Sequence, residues 1–260
     1  MRLLTYVLNL DRHTERLAAV KAQLDAQGVE WVRFSAIDAN TIDPHALDQM
    51  VARSGPIPRM PVTARACTAG HIQIVKAFLE TDATHALVLE DDAVFSPHFA
   101  RDLPKIVEGM GGGLVNISRQ IPSGSAKRLL VKKAGAKAVS NYSMPELVGI
   151  HYSGAGYLMD RNAAKTILAL FPHPDMPIDH ILFNPNVSRL GRKIPVRQLF
   201  PALVKPRENL ESSIQTTEVA GARSIKNQLK RAKAEISIAP RLLLGLLFKR
   251  YEIRTLDFYE

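Results

Sequence analysis

The sequence contains a single cysteine, Cys67, in 260 residues. One cysteine excludes an intramolecular disulfide and a zinc site built from several cysteines, so nothing in the cysteine content indicates an oxidising compartment. Long apolar runs are also missing, and no stretch reaches the roughly 20 apolar residues that span a bilayer. The first apolar run is too short for a signal peptide and is interrupted by Asn9 and Asp11. These absences predict a cytoplasmic protein.

Positive charge is concentrated towards the C-terminal end. The net charge is +9, and residues 221–260 contribute nine basic and four acidic residues together with the apolar block 242–248. This pattern predicts a basic amphipathic helix lying on an anionic membrane surface; the alternative is a C-terminal helix packed on the core with its charged face in solvent. Nucleic-acid binding is not expected, because the segment has few aromatic residues and no recognition motif. We therefore divide the chain into a domain over residues 1–220 and a basic segment over residues 221–260.

The composition and the hydrophobic pattern predict an α/β domain. With 46% hydrophobic and 23% charged residues, the chain is typical of a globular protein. A strand over residues 3–8, a helix that ends at Gly28 and a strand over residues 31–37 form a βαβ unit, so a parallel sheet begins at the N-terminus. Residues 39–63 are rich in proline and predict a loop, and the basic residues 119–145 predict an excursion or mobile loop near a ligand. The remaining predicted elements are helices at 68–80, 97–108, 160–170 and around 179–180, and strands at 86–89, 114–117, 148–159 and 194–200.

Three consecutive carboxylates, Glu90, Asp91 and Asp92, follow the predicted strand at 86–89. Adjacent carboxylates repel one another unless solvent or a cation screens them. Mg²⁺ and Mn²⁺ bind one or two protein carboxylates, and ligands of open α/β sheets bind beyond the carboxyl ends of the strands. The motif therefore predicts a divalent-cation site. The alternative is a solvated turn before a helix that begins near Ser96 and Pro97.

Several further motifs occur in order along the chain: YVLNLDR at 6–12, AIDA at 36–39, ACTAGH at 66–71, LVLEDD at 87–92, GAGYLM at 154–159 and PID at 177–179. Together they resemble glycosyltransferase family 25, the family of lipooligosaccharide galactosyltransferases and of collagen-modifying galactosyltransferase domains. The resemblance covers roughly residues 2–215. Two positions depart from the family pattern, since Ala39 replaces a glycine and Gly70 replaces the usual serine.

The resemblance implies a GT-A type fold, which is a Rossmann-like mixed sheet flanked by helices, here with the basic helical tail added. It also implies a nucleotide-sugar donor and inversion at the anomeric carbon. The expected function is transfer of a sugar, galactose from UDP-galactose, to a lipooligosaccharide or similar surface glycan by an enzyme held peripherally on the inner face of the membrane. Two alternatives are a metal-dependent phosphoesterase and a non-catalytic, basic α/β protein that binds lipid or nucleic acid.

The same resemblance assigns the donor side of the site. Glu90 and Asp92 are expected to hold the cation, Mn²⁺ or Mg²⁺, and the UDP-sugar, while strand alternation directs Asp91 to the other face as a structural acid. Asn9, Arg12 and Arg16 are expected to contact the nucleotide, because they lie where the first strand gives way to a helix. Alternatively, the two arginines belong to a solvated helix face.

The catalytic base is expected to be Asp179, because it matches the family's late acid, with His71 as the second candidate. An inverting transferase needs such a base to deprotonate the acceptor hydroxyl on the face opposite the leaving group. His71 is alternatively a packed core residue on an apolar helix face. Cys67 is expected to fill space as a small buried side chain.

Overall fold

The structure is a computed structural model that describes residues 1–56, 60–119, 127–133, 135–207, 245 and 247–260. The predicted domain boundary at residue 220 and most of the predicted basic helix lie outside these residues. Among the described helices, none is both long and apolar enough to cross a membrane.

The strands within the described ranges fall into one large sheet and three two-stranded ones. In chain order they are β1 (Leu3–Asn9), β2 (Val32–Ser35), β3 (His85–Glu90), β4 (Ala93–Phe95), β5 (Leu114–Asn116), β6 (Lys127–Lys132), β7 (Lys137–Val139), β8 (Tyr142–Met144), β9 (Gly156–Asp160), β10 (Val196–Gln198), β11 (Val204–Pro206) and β12 (Tyr251–Leu256). The large sheet has the order β10-β5-β9-β3-β1-β2. β1 is parallel to both β2 and β3, β10 is parallel to β5, and β9 is antiparallel to β3 and β5.

Helices cover both faces of the large sheet. They are α1 (Thr14–Ala26), α2 (Pro44–Met50), α3 (Val62–Leu79), α4 (Phe99–Gly109), α5 (Arg161–Leu170) and α6 (Ile178–Phe183), with a short 3-10 helix over Leu190–Arg192. Alternate residues of β1 point to opposite faces: Leu8 joins the apolar cluster formed with α3, α5 and α6, whereas Val7 joins the cluster formed with α1 and α4. This mixed sheet between helical layers confirms the predicted α/β, GT-A type fold.

The N-terminal prediction is confirmed in detail. β1, α1 and β2 form the predicted βαβ unit, and Gly28 follows α1 with a positive φ of 67°, a conformation that favours glycine. Several other predictions need correction. The proline-rich stretch 39–63 contains α2, because Pro44 occupies the first turn, where a missing N–H costs nothing, and Asp43 caps the helix by accepting from the Ala46 amide at 2.8 Å. The helix predicted from residue 68 begins at Val62, directly after Pro61.

The basic stretch 119–145 is also more regular than a mobile loop. Its described part forms β6 and the hairpin of β7 and β8, and residues 120–126 and 134 lie outside the description. β6 pairs antiparallel with β12, so residues 251–256 of the predicted tail form a strand against the folded domain. Leu256 at the end of β12 is fully buried.

Candidate active site

A pocket of about 130 Å³ opens where the carboxyl ends of β1 and β3 meet. Parallel pairing sets Leu8 beside Glu90, so the residues that follow both strands share one edge of the sheet. The pocket combines acidic, basic and thiol side chains. Its polar lining includes Glu90, Asp91, Asp92, Arg12, His13, Arg16 and Cys67.

Asp91 is held by groups of the neighbouring turn. The Asn9 amide donates to Asp91 Oδ2 at 2.7 Å, and Arg16 Nη1 lies 3.5 Å from Asp91 Oδ1. His13 Nδ1 lies 3.7 Å from Asp91 Oδ2, and the Asp91 residue is only 8% exposed. These contacts are those of a structural acid, but Asp91 does not turn to the other face as expected: β3 ends at Glu90, and Asp91 lines the same pocket as Glu90 and Asp92. The contacts also argue against a solvated turn, because the acid is buried.

Asp92 differs from Asp91 because one of its carboxylate oxygens has no donor. Oδ1 of Asp92 is buried and has no hydrogen-bond partner. Burial, and then the negative charges of Glu90 and Asp91, raise the pKa of Asp92 to about 7. β3 ends at Glu90, so the strand alternation used to pair Glu90 with Asp92 does not extend to Asp92. The side chains of Glu90 and Asp92 nevertheless line the same pocket. A crowded carboxylate with an unpaired oxygen fits a cation ligand.

His71 lies in the core beneath the pocket. Its ring is fully buried, with Nδ1 3.0 Å from the Tyr157 hydroxyl and Nε2 3.4 Å from Glu90 Oε1. Glu90 meets α3 because it lies on the same sheet face as Leu8, the face that α3 covers. This position is that of a packed core residue, the alternative already considered for His71.

Asp179 lies in the first turn of α6, where its Oδ1 accepts from the His180 amide at 2.8 Å. Burial raises the pKa of Asp179, and the charge of Glu90 adds to this effect. The pKa of the Cys67 thiol is raised by burial and by the charges of Glu90, Asp179 and Asp92. The three predicted acids therefore converge on one region.

The predicted nucleotide-binding residues occupy two different settings. Arg12 and Arg16 line the pocket, and Arg12 forms an ion pair with Asp38. Asn9 is 1% exposed, donates to Asp91 and accepts from Arg33 Nε at 3.1 Å. These hydrogen bonds show that Asn9 orients the turn that follows β1. Contact of these residues with a nucleotide stays a prediction.

Sequence reasoning missed His13 and the segment before β9. His13 follows Arg12 in the turn, and its pKa is lowered by burial and by the charge of Arg16. The predicted strand at 148–159 begins only at Gly156, because buried hydrogen bonds hold the preceding residues: Asn116 donates to the Ser153 carbonyl at 2.9 Å, and Ser118 Oγ lies 2.6 Å from Ser153 Oγ. These bonds place Gly154 against Glu90. A Cβ at position 154 would lie 3.1 Å from Glu90 Oε1.

A Rossmann-like sheet with an acidic pocket at the carboxyl ends of its strands has the architecture of a GT-A type glycosyltransferase. The model of glycosyltransferase family 25, described as an LPS biosynthesis protein, matches residues 3–182, and the chain belongs to this family.

The curated relatives are distant. A glycosyltransferase 25 family member of Drosophila melanogaster is 25% identical over 92% of this chain and 44% of its own length. Procollagen galactosyltransferase 2 of Homo sapiens is 25% identical over 68% of this chain and 29% of its own length. The lacto-N-neotetraose biosynthesis glycosyltransferase LgtB of Neisseria meningitidis serogroup B is 24% identical over 76% of this chain and 73% of its own length. The chain thus spans less than half of the length of the insect and human relatives.

Similarity to solved structures is weaker. A glycosyltransferase involved in glycosylation of the major capsid of PBCV-1 gives a TM-score of 0.44 at 10% identity, over 91% of this chain and 100% of that one. The inositol-1-phosphate CTP transferase of T. maritima gives 0.43 at 12% identity, over 89% of this chain and 95% of that one. The family assignment rests on the sequence match.

Proposed function

We propose that this glycosyltransferase transfers galactose from UDP-galactose to a lipooligosaccharide or similar surface-glycan acceptor, with inversion at the anomeric carbon. The observation that carries the proposal is the convergence of Glu90 and Asp92 on one pocket at the end of β3, with Asp92 Oδ1 unpaired. The galactose donor is suggested by the name of the human relative, procollagen galactosyltransferase 2, and the acceptor by the family description.

The donor side is built from charges of both signs. Glu90 and Asp92 would hold a divalent cation, Mn²⁺ or Mg²⁺, since crowded carboxylates with an unpaired buried oxygen suit a hard cation. When bound, such a cation neutralises charge that develops on a departing diphosphate. Arg12 and Arg16, which line the same pocket, would bind the phosphates and the nucleotide. Asn9 positions this turn through Asp91.

The acceptor side depends on Asp179. Its carboxylate accepts the proton of the acceptor hydroxyl while that oxygen forms the new bond to the anomeric carbon and the bond from that carbon to UDP breaks. Attack opposite the leaving group gives inversion. Burial raises the pKa of Asp179, which makes the ionised carboxylate a stronger base than an exposed aspartate. We place His71 second because its ring is fully buried between Tyr157 and Glu90.

The location of the enzyme is also a proposal. The positive charge and apolar block of residues 221–260 would hold it on the anionic inner face of the membrane, beside a lipid-linked acceptor. In this arrangement the partners are a nucleotide-sugar donor, a glycan or glycolipid acceptor and the membrane surface.

Thermal unfolding with a series of UDP-sugars, with and without Mn²⁺, tests the donor site. A ligand that binds only the folded state raises its stability. We expect UDP-galactose with Mn²⁺ to stabilise the wild type and Asp179→Asn, but not Asp92→Asn. If Asp92→Asn is stabilised as much as the wild type, the donor cation does not bind at this strand end. If a different UDP-sugar stabilises the wild type, that sugar and not galactose is the donor.

A further inference from the structure

Three side-chain atoms that commonly ligate metals converge beneath the pocket. Cys67 Sγ, an imidazole nitrogen of His71 and a carboxylate oxygen of Glu90 all lie within 4.8 Å of one another. Cys67 and His71 are four residues apart in α3 and therefore share one helix face, while Glu90 ends β3. Two rigid elements thus position the three groups.

His71 supplies independent support for a ligand. Its ring is fully buried, and Nε2 has no hydrogen-bond partner although it lies 3.4 Å from Glu90 Oε1. A buried polar atom without a partner is costly, so it calls for an explanation. In the tautomer that donates from Nδ1 to the Tyr157 oxygen, 3.0 Å away, Nε2 presents its lone pair towards Glu90. Metal-bound histidines are commonly oriented by such a second hydrogen bond.

We infer that Cys67, His71 and Glu90 form a binding site for a thiophilic divalent cation, with Zn²⁺ as the best match. Tetrahedral zinc with its usual bond lengths separates ligand atoms by roughly 3.3–3.6 Å. The His71 to Glu90 separation of 3.4 Å fits this range, and the Cys67 sulfur lies within 4.8 Å of both ligand atoms. Coordination takes the thiolate form of Cys67 and releases its proton to solvent.

This site shares Glu90 with the donor cation site but would take a different ion. Zinc favours thiolate and imidazole ligands, whereas Mn²⁺ and Mg²⁺ favour oxygen, so Cys67 and His71 select a different ion from Asp92. Cys67 and Glu90 line the open pocket, which gives the ion a path from solvent. Because Glu90 belongs to both groups, zinc would compete with the donor cation; only this last consequence rests on the proposed function.

Cobalt substitution tests the site without any measurement of transfer. The tag-free, metal-free full chain is titrated with Co²⁺, which reports thiolate coordination by a near-ultraviolet charge-transfer band and tetrahedral geometry by strong visible bands. Since Cys67 is the single cysteine, the charge-transfer band has one possible source. We expect the band in the wild type, its displacement by Zn²⁺, its absence in Cys67→Ser and its retention in Asp92→Asn.

Thermal unfolding with Zn²⁺ tests the same site without a spectroscopic signal. Zn²⁺ should raise the melting temperature of the wild type, and its affinity for Cys67→Ser should fall by at least about 10-fold. No charge-transfer band with Co²⁺, or equal stabilisation of the wild type and Cys67→Ser by Zn²⁺, would overturn the site. Loss of UDP-galactose binding with the cobalt band intact would count against the proposed function alone.

Discussion

The Nδ2 amide of Asn9 donates to Asp91 Oδ2 at 2.7 Å and so ties the end of β1 to the turn after β3. The next residue, Asp92, has a buried oxygen without a partner. The two adjacent acids therefore differ: Asp91 makes buried polar contacts, whereas the surroundings of Asp92 destabilise its charged form.

Asp91→Asn and Asp92→Asn should consequently change stability in opposite directions. The raised pKa of Asp92, about 7, means that the folded state binds the proton more tightly than the unfolded state, so this group lowers stability as pH rises from about 4 to about 7. At pH 8 without metal we expect Asp92→Asn to be more stable than the wild type by about 1–4 kcal/mol, and the gain to vanish near pH 4.

Asp91→Asn should be less stable than the wild type by about 1–3 kcal/mol, because it weakens buried contacts with Asn9 and Arg16. Urea unfolding with a chelator present, repeated from pH 4 to pH 8, measures both changes. A destabilised Asp92→Asn at pH 8 would contradict the electrostatic description of the strand end.

Asp179→Asn should separate catalysis from donor binding. If Asp179 is the base, transfer to the acceptor falls at least about 100-fold, while stabilisation by UDP-galactose with Mn²⁺ persists. Asp175→Asn is the matched control, since Asp175 lies just before α6 and is not among the acids whose charge raises the pKa of Cys67. Assays of product formation and of thermal shift on the same preparations would show whether the two effects separate. Full transfer by Asp179→Asn would exclude it as the base.

Arg65 and Arg53 both pair with Asp48, and Arg65 should contribute far more to the free energy of unfolding. Arg65 is 5% exposed, pairs with Asp48 and donates to the Val51 carbonyl at 2.6 Å, thereby joining α2 to α3. Arg65→Met should cost about 2–3 kcal/mol, because a buried carbonyl loses its donor. Arg53 pairs with the same Asp48 through a side chain that is 63% exposed, so Arg53→Met should change the unfolding free energy by less than about 1 kcal/mol. Similar losses in the two variants, measured by urea unfolding, would refute this difference.

Strand β12 should be an integral part of the folded domain. Leu256 is fully buried, so Leu256→Ala should cost about 2–5 kcal/mol in unfolding free energy. Ile253, in the same strand, is 60% exposed, and Ile253→Ala should cost about 1 kcal/mol or less. A wild-type denaturation curve for Leu256→Ala would show that β12 is detached in solution.

Local patterns predicted the elements that local forces determine. The βαβ unit follows from apolar periodicity and from Gly28, and the acidic strand end is visible because its three carboxylates are adjacent in sequence. Helix α2 was missed because several prolines suggested a loop, although Pro44 lies at a position that tolerates proline.

The deeper part of the site depends on contacts between distant residues. The Tyr157, His71 and Glu90 contacts require α3 to pack on β3 and β9, so no short window of sequence contains them. Likewise, the alternation of β12 would put Ile253 on a buried face, whereas pairing with β6 leaves Ile253 60% exposed and buries Leu256.

The pairing of β6 with β12 also affects the order in which the strands form while the chain is synthesised. All six strands of the large sheet precede β12 in the chain, so the sheet can assemble on the ribosome before β12 emerges. Until then β6 presents an unpaired edge, which could capture a strand from another nascent chain. Slow translation of the intervening residues would prolong this exposure, and crowding on a polysome would turn it into misassembly.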